Sequence, residues 1–211
     1  MTRPAGARNK DFSVKRQALL NKLTDFALNS DLRRPSLRQF ASAAGASEPT
    51  LRNYFSDRKG LVLAILEEIG RRGSDIWQLA ATPSKDISNA VEEYFRISEA
   101  GMLHGGFIRA HAFGIIEGVA DLDVGAGYLM HVLNPALKAI EDKMRGTPGA
   151  AGGDQDLRST AFAILSPMLV LSLHQNLLGG NQTAAIDVQD VLTRLQKLVV
   201  AGLSQADNFP H

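Results

Sequence analysis

The chain has no cysteine, a single tryptophan and only 6% aromatic residues among its 211. Without cysteine it can form neither a disulfide nor a thiolate zinc site. The opening MTRPAGARNK has no apolar stretch after its charges, so nothing resembles a secretory leader. The longest apolar run, residues 161–173, is interrupted by Ser166, Pro167 and Ser172 and is too short to cross a bilayer. A cytoplasmic protein with no membrane partner is expected. No segment shows the apolar–polar alternation of a half-buried strand, so the expected fold class is all-α. Without strands there is no strand-to-helix glycine loop for a phosphate. His104, His111, His131 and His174 are scattered with no HxxxH or HExxH spacing, so no metal and no cofactor are expected. No histidine–acid pair is placed as a catalytic unit, and enzymatic activity is not expected.

Charge of one sign is scarce only on average. The formal net charge is +1, yet residues 1–73 hold 14 Lys/Arg against 7 Asp/Glu and the remainder is net acidic. A basic third on an otherwise neutral chain is the electrostatic footprint of a nucleic-acid-binding domain attached to a non-binding body.

Inside that basic third, residues 36–59 (SLRQFASAAGASEPTLRNYFSDRK) read as two short helices and the start of a third. Ser36 and Gln39 have capping-box spacing. Leu37, Phe40, Ala41 and Ala44 fall on one helical face, and Gly45 can take the left-handed conformation that ends a helix. Ser47 caps the next helix, with Pro49 in its first turn. Leu51 and Phe55 anchor that helix and leave Thr50, Arg52, Asn53 and Tyr54 pointing mostly outward. Asp57 can cap the third helix, which begins at Arg58 and Lys59 and is expected to end at Arg72-Gly73, with Gly60 and Gly70 as its weak points. This is a helix-turn-helix. A preceding helix from near Asp11 or Ser13 to Asn29 carries Leu19, Leu20, Leu23, Phe26 and Ala27 as its stripe. Residues 1–10 read as a disordered basic arm.

From Ser74 onward the pattern is helix after helix: 84–100, 107–119, 124–145 with a bend at Asn134-Pro135, 155–178 and 186–205. A flexible GTPGAAGGD loop spans 146–154, and the last six residues are expected to fray. Val188, Val191, Leu192, Leu195, Leu198 and Val199 make a wide stripe on the last helix. Leu157, Ile164, Met168 and Leu171 belong to a preceding helix that is apolar almost all round. Such helices must be covered on every side, either by the monomer's own core or by a second copy.

The series Leu37, Phe40-Ala41, Ala44-Gly45-Ala46-Ser47, Thr50-Leu51, Tyr54-Phe55, Arg58 and Leu61 resembles the N-terminal domain of the tetracycline-repressor (TetR) family of bacterial transcription regulators. Arg52 stands where that family usually carries an aromatic. The resemblance implies a DNA-binding domain over 1–73 and a helical effector-binding and dimerisation domain over 74–211. It implies a homodimer on a double-stranded palindromic operator, because two recognition helices must lie about one DNA turn apart. The expected DNA-contacting residues are Ser36, Arg38, Ser47, Thr50, Arg52, Asn53, Tyr54, Arg58 and Lys59. The expected dimer interface is Leu157, Ile164, Met168, Leu171, Val188, Val191, Leu192, Leu195, Leu198 and Val199. The family also implies a cavity for a small-molecule effector among the middle helices, for which Trp77, Phe95, Phe107, Arg109, His111, Phe113, Tyr128, His131, Met168 and His174 are candidates. The expected function is a repressor released by an unknown effector. The alternative is a helix-turn-helix regulator whose C-terminal domain binds a protein partner or no ligand.

Overall fold

The structure, a computed structural model, describes residues 5–31, 34–149 and 154–204. Every regular element among them is helical. Helix α1 (Ala5–Asn29) begins well inside the stretch expected to be a disordered arm. Propagating a helix adds one hydrogen bond per residue once the first turn exists, so the buried Leu20, Leu23 and Ala27 downstream support it. Residues 1–4, 32–33 and 150–153 of the expected flexible loop lie outside the described residues, as does the expected frayed end.

Helix α2 (Leu37–Ala44) buries Leu37, Phe40, Ala41 and Ala44, the four positions its spacing selects. Its capping box is formed: the Gln39 amide donates to Ser36 Oγ at 3.2 Å, and the Ser36 amide donates to Gln39 Oε1 at 2.8 Å. Gly45 follows at φ 65°, a left-handed backbone that a side chain would strain. Helix α3 (Glu48–Phe55) starts on Ser47, whose Oγ accepts from the Thr50 amide, and buries Leu51 and Phe55. The chain then reverses at Ser56, the single described non-glycine residue with positive φ (68°, ψ −61°). The Asp57 amide donates to the Phe55 carbonyl at 2.8 Å across it, closing a three-residue γ-turn of the rarer, strained hand.

Helix α4 (Arg58–Ala80) runs two turns beyond the end expected at Gly73. The glycines at 60 and 70 are sites of close approach. A Cβ on Gly60 would lie 2.1 Å from the Phe55 carbonyl oxygen, and one on Gly70 would lie 2.5 Å from that of His131. The helix propensity lost there is the cost of letting backbone segments touch.

Helix α5 (Ile87–Ser98) passes directly into a π-turn (Glu99–His104), and α6 (Ile108–Ala120) follows. The single helix expected over 124–145 is interrupted: α7 (Leu122–Tyr128), a second π-turn (Leu129–Leu133), then α8 (Asn134–Gly146). The change of winding precedes Pro135, which sits in the first turn of α8 where its missing N–H leaves no bond unmade. Helix α9 (Asp154–Asn176) continues through Pro167. The run judged too short for a bilayer is therefore one continuous helix, and the segment Asp156–Asn176 has the length and mean hydropathy of a spanning helix. Its Leu157, Ala161, Ile164, Leu165, Met168 and Leu171 belong to a protein core, which accounts for part of that hydropathy. A short helix α10 (Gly180–Thr183) precedes α11 (Val188–Ser204).

These elements form two compact units. Unit one comprises the helix-turn-helix region up to residue 72 together with residues 109–132, so α6 and α7 group with the N-terminal helices although they lie beyond the boundary expected at 73. Unit two comprises residues 73–108 and those from 133 onward. Its core is built from Val91, Tyr94, Phe95, Leu137, Ile140, Ile164 and Met168, among others. Lys143, almost wholly buried beside that core, donates to the Thr82 carbonyl at 2.7 Å and to Glu93 at 2.8 Å, which satisfies its charge.

Candidate nucleic-acid interface

The outward face of the helix-turn-helix divides into residues occupied by the fold and residues left open. Ser36 and Ser47 spend their side-chain oxygens on helix caps, and Thr50 Oγ1 lies 2.8 Å from Ser47 Oγ. Tyr54 is half-buried, its ring 4.7 Å from that of Phe12 and its carbonyl accepting from Arg16 Nε at 3.4 Å. Arg16 also lies over the Phe55 ring, 5.0 Å from its centroid. Helix α1 thereby fixes the end of α3 from behind. Arg38, Arg52 and Asn53 are exposed and have no hydrogen bond or ion pair among the described residues. They are the polar groups of this face still able to meet a partner.

The first two residues of α4 are placed differently. Arg58 donates to both carboxylate oxygens of Glu117, on α6, and through Nε to the Pro35 carbonyl at 2.8 Å. Arg34 adds a contact to the same carboxylate at 3.2 Å. Glu117 is 1% exposed, so this ion pair is desolvated on its acidic side. Lys59 Nζ lies 3.1 Å from Asp121 and 2.6 Å from Asp123 at the start of α7. The hydrogen bond to Asp123 is the main reason the lysine pKa rises above its ordinary value. None of these three acids was marked by the sequence, because each lies about sixty residues from its basic partner and belongs to no local motif. Further back in unit one, Glu68 accepts from Arg71, Arg72 and Gln17, which holds its carboxyl down at about 2.

The whole chain can be compared with solved structures on this geometry. It superposes on the fatty acid degradation regulator FadR from Bacillus halodurans with a TM-score of 0.60 at 13% identity, covering 90% of this chain and 96% of that one. A TetR family transcription regulator from Marinobacter aquaeolei gives 0.57 at 16% identity, over 93% and 98%. The TetR family repressor AlkX from Dietzia, implicated in biodegradation of n-alkanes, gives 0.53 at 14% identity, over 90% and 95%. This is the TetR-family fold. No protein-family model matches the chain, and no curated protein matches it.

Within the TetR fold the ten candidate effector residues do not collect in one place: five belong to each unit. In unit one, Arg109 donates to the carbonyls of Leu28 and Ser30 at 3.4 Å, closing the C-terminal end of α1. His111 Nδ1 lies 2.9 Å from the Tyr128 hydroxyl, and both side chains are buried, as is Phe113. Burial alone pushes the imidazole down to about 4 and raises the phenol. His131 lines an open groove of about 420 Å³ with Arg16, Leu63, Asp123 and Met130. In unit two, Trp77 and Phe107 pack edge to face at 6.1 Å. Phe95 and Met168 are fully buried. His174 stands near the end of α9, its Nδ1 buried with no hydrogen-bond partner, as are Ser172 Oγ and Gln175 Nε2 within the same turn. Among the described residues no group of three or more His, Asp or Glu side chains is placed to hold a metal.

The expected dimer residues also separate. Leu157, Ile164, Met168, Leu171 and Leu192 are buried in the core of unit two, and Val188, Val191, Leu195 and Val199 pack against it half-covered. A second copy cannot reach Met168, which has no exposed surface. Leu198 is 69% exposed, and on α9 the large exposed apolar side chains are Phe162 and Val170.

Proposed function

We propose that the protein is a homodimeric DNA-binding transcription repressor that reads a palindromic operator and leaves it when a small molecule binds unit two. The carrying observation is the open face of α2 and α3: Arg38, Arg52 and Asn53 are exposed and unengaged beside a rigidly capped turn. Arginine can grip the O6/N7 edge of guanine through two donors, and asparagine the N6/N7 edge of adenine. A recognition helix lies in the major groove and presents such side chains to base edges. The two-fold symmetry of the operator follows from dimerisation through the exposed apolar side chains of α9 and α11, Phe162, Val170 and Leu198.

The orphaned polar atoms of Ser172, His174 and Gln175 support a ligand in unit two. Buried polar groups without partners are rare in folded proteins, and a ligand's polar groups would satisfy these. The effector acts by favouring a spacing of the two recognition helices that no longer fits successive major grooves.

Selection of bound duplexes from a random pool, followed by titration of the winner over a range of salt, tests this reading. The expected result is an enriched inverted repeat whose affinity falls steeply with salt. Arg52→Ala then costs about 1–3 kcal/mol on that site and relaxes preference at one position in each half. Failure to enrich any sequence, with only weak salt-sensitive binding to all DNA, overturns the reading of the operator.

A further inference from the structure

Both basic side chains that open α4 are turned toward acids of α6 and α7. We infer that Asp121 and Asp123 form a built-in competitor for a DNA phosphate, holding Lys59 in a carboxylate clamp that must open before the lysine can neutralise the DNA backbone. The inference rests on the proposed DNA-binding reading and concerns how strongly, and under what control, the protein grips DNA of any sequence.

The geometry of the clamp is specific. Asp121 divides its two oxygens between two tasks. Oδ1 accepts from the amides of Asp123 and Val124 and so caps α7, while Oδ2 faces Lys59 Nζ at 3.1 Å. The cap fixes the position of this carboxylate. Asp123, in the first turn of α7, supplies a second oxygen at 2.6 Å. Two anionic oxygens from two side chains therefore present to one ammonium what the two unesterified oxygens of a phosphodiester would present. The clamp is also accessible: the lysine side chain is 41% exposed and that of Asp123 is 74% exposed, so an incoming phosphate can reach the ammonium from solvent. Its neighbour Arg58 is held more firmly, on a carboxylate with almost no exposure. Of the two, Lys59 is the one that can change partners.

An exposed ion pair in water is weak, so the exchange is finely balanced. Anything that shifts the start of α7 relative to α4 alters the availability of Lys59 without touching the face that reads bases.

The test uses the full chain and a mixed-sequence DNA duplex, with affinity measured by fluorescence anisotropy across a salt series. In the variant Asp121→Asn/Asp123→Asn, asparagine retains the helix cap, and matching melting temperatures check that the fold is intact. The expected outcome is about five-fold tighter binding at low salt, with the slope of log affinity on log salt steeper by about one unit. Adding Lys59→Ala to the double variant should abolish that gain. A gain that survives Lys59→Ala reflects bulk charge and overturns the clamp, as does no gain at all. A wild-type protein that binds no duplex at any salt overturns the DNA-binding reading, and the clamp falls with it.

Discussion

Arg58 and Glu117 meet through two hydrogen bonds, Nη1 to Oε2 at 3.0 Å and Nη2 to Oε1 at 2.5 Å, although 59 positions separate them in the chain. The fork of the guanidinium matches the carboxylate, and the buried acid has few other ways to satisfy its charge. Removing one partner of such a pair leaves a desolvated charge. Arg58→Ala should therefore lower unfolding stability by about 3 kcal/mol. Arg34 touches the same carboxylate once and is nearly half exposed, so Arg34→Ala should cost under about 1 kcal/mol. Denaturant titration of both variants measures the contrast, and equal costs would show that Glu117 does not depend on the fork.

His111 gives unit one a defined response to acid. Its imidazole is held at about 4 by burial, against about 6.5 in an unfolded chain. Between those values the unfolded chain takes up a proton that the folded one refuses, so stability falls as pH drops through that window. The residue alone should make the protein about 2 kcal/mol less stable at pH 5 than at pH 7. In His111→Gln that part of the pH dependence should disappear. If the two proteins lose stability in parallel over this range, the proton uptake lies elsewhere.

Ser56 holds a backbone conformation that glycine adopts more readily than serine, at φ 68°. Ser56→Gly should relieve the side-chain clash and raise stability by up to about 1 kcal/mol, after the loss from a more flexible unfolded chain. Thermal unfolding followed by circular dichroism is sufficient to detect this. A lower melting temperature would mean that the γ-turn carries no strain worth relieving.

For the dimer, exposure separates two classes of apolar side chain on the same helices. Phe162→Glu and Leu198→Glu place a charge on surface that is exposed in the single chain, so each should yield folded monomers. Met168→Glu buries an unpaired carboxylate and should unfold the chain instead. Sedimentation velocity at micromolar concentration reports all three. Persisting dimers in both surface variants would place the interface on another face.

The helix-turn-helix was legible in the sequence because every signal that makes it is local. Caps at Ser36 and Ser47, the stop at Gly45, and the spacing of Leu37, Phe40, Ala41 and Ala44 all act within one or two turns. The same local logic placed Arg52 and Asn53 outside, whereas Thr50 and Tyr54, expected to point outward with them, are half-buried. It misjudged the start of α1 and the end of α4, since neither boundary carries a cap signal. It did not foresee the π-turn between α7 and α8 either, because no residue pattern distinguishes that winding from an ordinary helix.

What the chain determined by itself was therefore the set of helices and the chemistry of one outward face, both governed by periods of three to four residues. Only the tertiary structure decided which charges are engaged and which apolar stripes are covered. Glu117, Asp121 and Asp123 find Arg58 and Lys59 across about sixty residues, and Coulomb attraction depends on distance in space, not along the chain. Met168 and Leu198 are equally apolar in sequence. Burial alone separates them, and burial is a property of what packs around a side chain.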